Sequence, residues 1–209
     1  MLGYLEGLSP ERDVAVDKIR AVVQWIERGI GEAQREVVVR LDQGSLGNGD
    51  RLKATLSNEE VVVRGLSGSS GFVVRTSESQ ARFQVPWTTQ LQRGDLLSRG
   101  DTRLQLVDRL EAQLCWMDDE PLRTGDIYLV RVGGRTVEGV IEEVLRRVDI
   151  GSYEYVDDKG PLSLNQVGAV AVSLRQPLVV APFTEDRRAG SLILIDPRDG
   201  NTVAAGGVQ

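Results

Sequence analysis

Residues 47–59, Gly-Asn-Gly-Asp-Arg-Leu-Lys-Ala-Thr-Leu-Ser-Asn-Glu, hold the pattern on which the fold turns. Leu52, Ala54 and Leu56 alternate with Arg51, Lys53 and Thr55. Successive side chains on a strand point to opposite faces, so this spacing makes a strand with one buried face. Gly47-Asn48-Gly49-Asp50 before it and Ser57-Asn58-Glu59 after it are turn sequences. The same short unit recurs on either side. From Ile19 onward Val22, Val23, Trp25 and Ile26 are β-branched or aromatic, Gly29 and Gly31 interrupt, and Val37-Val38-Val39-Arg40-Leu41 follows before Gly44. Gly65 and Gly68 to Gly71 mark further turns. Short strands at intervals of about 8 to 12 residues with glycine-rich turns read as a sandwich or a closed barrel.

The second half repeats the style. Leu104 to Trp116, Ile127 to Val132, Val167 to Leu174 and Ser191 to Ile195 are strand-like, separated by Gly125-Asp126, Gly133-Gly134 and Asp157 to Pro161. The polar junction Ser98-Arg99-Gly100-Asp101 divides the halves, which gives a lead segment over 1–18, a first unit over 19–100 and a second over 101–209. Within the lead, Ser9-Pro10-Glu11 offers a helix start, with serine at the cap and proline at the first helical position. One segment follows another rhythm. Between Thr136 and Val148 the apolar residues fall at 137, 140, 141, 144, 145 and 148, which is helical spacing, and the repeated Glu and Arg favour a helix as well.

The composition narrows the chemistry. The chain has 209 residues, 41% apolar and 27% charged, so it can bury a core in one large or two small domains. No apolar run approaches the roughly 20 residues of a membrane-spanning helix, and Met1-Leu2-Gly3-Tyr4-Leu5-Glu6 lacks a basic and then apolar leader, so a cytoplasmic location is expected, with no membrane partner. There is no histidine, which removes Ser/His/Asp and Cys/His catalysis and histidine-ligated metal. Cys115 is the single cysteine and cannot build an intrachain disulfide or a cysteine zinc site; beside Trp116 in an apolar strand it is expected to pack in the core. A net charge of −6 argues against a broad phosphate-neutralising surface, so nucleic acid is not the expected partner.

The motif search returns no catalytic constellation. The nearest glycine-rich segment to a phosphate loop, Gly44 to Lys53, lacks the Gly-Lys-Thr that reaches phosphate and magnesium, and reads as a hairpin turn. Asp118-Asp119-Glu120 invites a metal or acid-base reading, but adjacent strand residues face opposite ways and Pro121 follows, so a solvated turn is expected. Arg187-Arg188 is either a clamp for an anion or an exposed loop pair. No cofactor and no metal are expected.

Four blocks taken in order carry a resemblance. They are Trp116-Met117-Asp118-Asp119-Glu120-Pro121-Leu122, then Gly125-Asp126-Ile127-Tyr128, then Leu162-Ser163-Leu164-Asn165-Gln166-Val167-Gly168, and finally Arg188-Ala189-Gly190-Ser191-Leu192-Ile193-Leu194-Ile195-Asp196 with Asn201-Thr202-Val203-Ala204-Ala205-Gly206. Together they resemble the C-terminal barrel of the large, GTPase subunit of bacterial sulfate adenylyltransferase (ATP sulfurylase). That family is built like elongation factor Tu, with a GTPase domain followed by two β-barrels. Val23-Gln24, Gly44-Ser45-Leu46 before Gly49-Asp50, and Arg93-Gly94-Asp95-Leu96-Leu97 are similar to landmarks of its middle barrel, while residues 68 to 84 depart from it. Only Leu5-Glu6 is similar to the end of the GTPase domain, and no phosphate loop or guanine-reading motif is present.

The resemblance implies an all-β chain of two tandem antiparallel β-barrels of translation-factor type, domain 2-like over 19–100 and C-terminal-domain-like over 101–209, with strand rather than helix in 136–148. A natural barrel-only protein and a piece of a longer chain both fit this match. The function it implies is a binding or regulatory module in sulfate activation, the adenylyl transfer from ATP to sulfate occurring on a partner. The chain alone is then expected not to be an enzyme. Its partner would be a protein, either the small subunit of sulfate adenylyltransferase or a GTPase domain. The alternatives are a translation-factor-like RNA- or tRNA-binding module and a scaffold recruited to another pathway. Residues in the family-like blocks that carry interface chemistry are Trp116, Asp118, Glu120, Asn165, Arg187 and Arg188, of which Asn165 could equally cap a turn.

Overall fold

In the computed structural model, which describes residues 18–28, 34–69, 71–73, 75–100, 103–149, 151–152, 154–156 and 158–209, strands dominate and every strand pairing is antiparallel. The helix start expected at Ser9-Pro10-Glu11, the 1–18 lead up to residue 17, and Gly29, Gly31, Asp101 and Asp157 lie outside the described residues. The chain divides into two compact units at the 101/102 bond.

The first unit contains β1 (Ile19–Arg28), β2 (Gln34–Gln43), β3 (Leu46–Gly47), β4 (Arg51–Ala54), β5 (Glu60–Val62), β6 (Arg64–Gly68), β7 (Gly71–Phe72), β8 (Arg75–Thr76), β9 (Gln80–Pro86) and β10 (Leu96–Arg99). Eight of them form one sheet in the order β5-β4-β10-β1-β2-β9-β6-β7, and β3 pairs with β8. β5 at one end of this sheet and β6, next to the other end strand β7, are successive lengths of one chain. β5 pairs with β4, β6 pairs with β9, and Val63 joins β5 to β6, so the sheet curls until its edges meet at one kinked strand. Val63 completes the β4 side, its N–H donating to the Asp50 carbonyl at 2.9 Å. Gly65 beyond it has φ +60°, a left-handed conformation that a side chain strains against, and this supplies the kink. The period-two pattern fills the interior: Val37, Val39, Leu52, Ala54, Phe83 and Leu97 are buried. Leu56 departs from its expected strand position, because the strand stops at Ala54 and the Asn58 N–H closes a turn onto the Ala54 carbonyl at 2.8 Å.

The second unit contains β11 (Gln105–Trp116), β12 (Ile127–Val132), β13 (Arg135–Val148), β14 (Tyr155–Val156), β15 (Val167–Val180), β16 (Ser191–Ile195) and β17 (Thr202–Val208). The order β12-β16-β17-β11-β15-β13 returns to β12 through a β12–β13 pairing, a closed six-stranded barrel with β14 appended to β13. Closure leaves those six strands without a free edge. Leu114, Trp116, Val130, Ile141, Val172 and Leu194 belong to its core.

Segment 136–148 is strand, as the resemblance implied and the periodicity did not. Val137, Gly139 and Ile141 point inward in strict alternation; register shifts at Ile141/Glu143 and Val144/Arg146 then change the phase, so the next buried residue is Val144. Two bulges mimic a helical rhythm. The expected strand end at Leu174 moves as well. β15 runs on to Val180, passing exposed Pro177 where four residues, 174 to 177, face Asp108 alone; a bulge is where a strand tolerates a proline.

Candidate functional site

The residues between β11 and β12, together with the loop after β16, enclose a concavity of about 210 Å³ at one end of the second barrel. Trp116 forms its floor. The side chain is 1% exposed, its ring meets Tyr128 edge-on at 5.8 Å and 77°, and its indole N–H donates to the Glu120 carbonyl at 2.8 Å. This bond folds the 117–120 segment back over the ring. Asp118 fixes the same turn, its carboxylate accepting from the Glu120 N–H at 2.8 Å. The solvated turn expected at Asp118-Asp119-Glu120 is therefore also the wall of a pocket.

The opposite wall comes from the loop after β16. Asp196, 4% exposed, accepts from the backbone N–H of Arg198 at 2.8 Å and from its guanidinium Nη2 at 2.6 Å. Gly200 donates to the Asp196 carbonyl and Asp196 donates to Asn201, each at 2.9 Å, so the loop is tight and Arg198 is pinned along one edge of an otherwise exposed guanidinium. The hydrogen bonds from Arg198 hold the Asp196 carboxyl below its ordinary range, and the same pair raises Arg198. Burial, with Asp126 and Asp196 nearby, pushes the Tyr128 phenol up to about 12. The lining carries, among the described residues, four carboxylates, Asp118, Glu120, Asp126 and Asp196, against two guanidiniums, Arg123 and Arg198. Among the described residues no group of three acidic, cysteine or histidine side chains converges as metal ligands.

Of the six residues singled out from sequence, Trp116, Asp118 and Glu120 meet in this pocket. Trp116 enters as a core residue whose surface is spent inside the barrel. Asn165 lies in a turn with φ +64°, its N–H donating to the Trp116 carbonyl at 2.8 Å, and does not line the pocket. Arg187 and Arg188 sit on a helical turn, Arg187–Gly190, whose start is capped by the Asp186 carboxylate accepting from the Arg188 and Ala189 N–H groups. That turn precedes Ser191 while the pocket follows Ile195, so β16 separates the two by roughly 17 Å. Arg123, Asp126, Tyr128, Asp196 and Arg198 were not singled out as site residues, although Asp126, Tyr128 and Asp196 lie in the family-like blocks; the Asp-Pro-Arg run at 196–198 was the local signal for Arg198. Cys115 also departs from expectation. It is half-buried on the outward face of β11, because Leu114 and Trp116 take the inward positions.

Comparison with known proteins agrees with this architecture. Residues 109–209 match the family model described as GTP-eEF1A C-terminal domain-like. Sulfate adenylyltransferase subunit 1 of Methylorubrum populi is 30% identical across 100% of this chain, which spans 44% of that protein. The bifunctional enzyme NodQ of Azospirillum brasilense is likewise 30% identical across 100% of the chain, over 34% of its length. The chain thus spans less than half of the curated relatives it matches. Among solved structures, sup35 complexed with GDP superposes with a TM-score of 0.83 at 16% identity, over 100% of this chain and 51% of that one. Apo translation elongation factor SelB from Methanococcus maripaludis gives 0.76 at 18% identity, over 100% of this chain and 46% of that one. At such identities these structures show the fold alone. Among the described residues no helix is long and apolar enough to cross a membrane.

Proposed function

We propose that this chain, related to the C-terminal, two-barrel part of the sulfate adenylyltransferase large subunit, is a non-catalytic binding and regulatory module of sulfate activation in the cytoplasm. Its first unit serves as the translation-factor domain 2-type barrel and its second as the C-terminal one. The union of ATP and sulfate to adenylyl sulfate takes place on a protein partner that the barrels dock. The observation that carries this reading is the similarity to subunit 1 along the whole chain, through both units. The pocket chemistry supports it. Asp196 and Arg198 hold each other charged through their hydrogen bonds and burial holds the Tyr128 phenol protonated, so these three lining groups keep one protonation state around neutral pH. A rim of exposed Glu120 and Arg123 over a fixed aromatic floor suits recognition.

Sedimentation velocity of the chain mixed with the small subunit of sulfate adenylyltransferase tests this. A complex with a dissociation constant near 1 μM or tighter, about −8 kcal/mol, is expected. Glu120→Lys and Arg123→Glu, both surface changes, should each weaken it about tenfold with unchanged circular dichroism. No association at about 100 μM would overturn the proposal.

A further inference from the structure

The second barrel carries another surface, separate from the pocket above. On its outer wall, β11, β17, the loop after β15 and the β13–β14 arm border a trough of about 800 Å³. Its floor includes the bare backbone of Gly206 and Gly207. A Cβ on Gly206 would stand 1.8 Å from the Gln113 carbonyl oxygen, so β17 presses directly on β11 there. A Cβ on Gly207 would stand 2.7 Å from the Phe183 ring, which fills that gap and remains 39% exposed. Tyr155, 45% exposed, forms the facing wall. Two large aromatics exposed around one concavity make a contiguous apolar patch, which is the informative kind of apolar surface.

Among the described residues a single charged side chain lines this trough, that of Arg146. Its guanidinium lies 4.1 Å from the centroid of the Tyr155 ring and donates to the Gln209 side-chain oxygen at 3.3 Å. Neither partner is anionic, so the positive charge is held in place, stacked and left unneutralised by them. An oriented guanidinium beside apolar surface is complementary to a carboxylate carried on an apolar segment. A small metabolite would require several convergent buried polar groups to fix its orientation, and among the described residues none of the polar side chains lining the trough, Gln113, Thr184 and Gln209, is buried.

We infer that this trough docks a segment of a partner protein in which one or two large apolar side chains adjoin a carboxylate, the apolar groups lying against Phe183 and Tyr155 and the carboxylate on Arg146. The inference is independent of the pathway proposed above, because it concerns the chemistry of the occupant alone. Cys115 makes it testable: it lines the trough and is the only thiol in the chain. Peptides capped at the N-terminus with an activated disulfide and ending in C-terminally amidated Leu-Phe-Glu, Leu-Phe-Lys or Ser-Gly-Glu would compete for Cys115 under a 2-mercaptoethanol titration, with capture read by mass spectrometry. The Leu-Phe-Glu peptide should withstand roughly tenfold more thiol than either other, a difference of about 1.4 kcal/mol. Arg146→Gln should erase the preference for Glu over Lys while keeping the preference for Leu-Phe over Ser-Gly, and Arg146→Lys should retain part of the first and all of the second. Equal capture of all three peptides, or a Cys115 that no peptide reaches, would overturn the inference. So would dimerisation of the chain that Phe183→Glu abolishes, which would assign the trough to a second copy.

Discussion

Gly139→Ala separates the two readings of segment 136–148 by sign. On a helix, replacing glycine by alanine stabilises by about 1 kcal/mol, because alanine loses less backbone entropy on folding. In the barrel Gly139 is buried on β13, opposite Tyr128 on one neighbour and Leu174 on the other. A Cβ there would lie 2.6 Å from Val130 Cγ2, 3.0 Å from Val172 Cγ1 and 3.3 Å from Leu174 Cδ2. Two of the three atoms belong to valines, whose single stiff χ1 leaves no cheap rotation away. Overpacking of this kind costs about 1–3 kcal/mol. At about 4–8 °C per kcal/mol for a unit near 100 residues, the thermal transition of the second unit should fall by at least about 4 °C. Urea unfolding followed by circular dichroism should show a lower midpoint at unchanged slope. Val130→Ala removes the nearest atom, so the double variant should be less destabilised than the sum of the two single changes. A Gly139→Ala protein as stable as the parent, or more so, would refute the inward placement of this residue.

Trp116→Phe should destabilise the second unit by about 2 kcal/mol, combining the lost indole hydrogen bond to Glu120 with the void left by the smaller ring; a change below about 0.5 kcal/mol in urea titrations would contradict its burial. Asp196 titrates below its ordinary value of 3.8 in the folded protein because Arg198 favours the carboxylate. A lowered folded pKa contributes stability that is complete above the unfolded value and disappears as pH falls through the folded one. Asp196→Asn should therefore be less stable than the parent at pH 7, and the gap should close as pH drops below about 3.8, measured as urea midpoints across the acid range. A gap that stays constant down to pH 2 would show that charge on Asp196 contributes nothing.

Where a strand keeps one phase, alternation alone was enough: Ile127 to Val132 and Ser191 to Ile195 coincide with β12 and β16. It failed where a bulge adds a residue. In β13 the shifts after Ile141 and Val144 convert a period of two into intervals that look like three and four, and Gly139 hides an inward position because glycine carries no hydrophobic mark. Pro177 did the same for β15, since a proline normally ends a strand and here sits in a bulge opposite Asp108. Neither event has a local signature, because a bulge is a property of two paired strands.

The candidate site shows the same division between local and paired information. Trp116, Asp118 and Glu120 share a pocket because they are close in sequence, whereas Asp196 reaches it only through the β12–β16 ladder, in which Leu129 opposes Ile195 and so sets Tyr128 near Asp196. The placement of Trp116, by contrast, was readable. Leu110, Ala112 and Leu114 hold one parity of β11, and carrying it forward by two buries Trp116 and turns Cys115 outward. The place of Trp116 in a family-like block suggested an interface, but the alternation before it decided the matter. That one parity sets the character of both surfaces of the second barrel: it gives the pocket its aromatic floor and the trough its thiol. A shift of one residue in the pairing of β11 with β15 would exchange them, exposing the indole and burying Cys115. The hydrogen bond from Trp116 to Glu120 and the direct backbone contact at Gly206 oppose that slip from either side of the sheet.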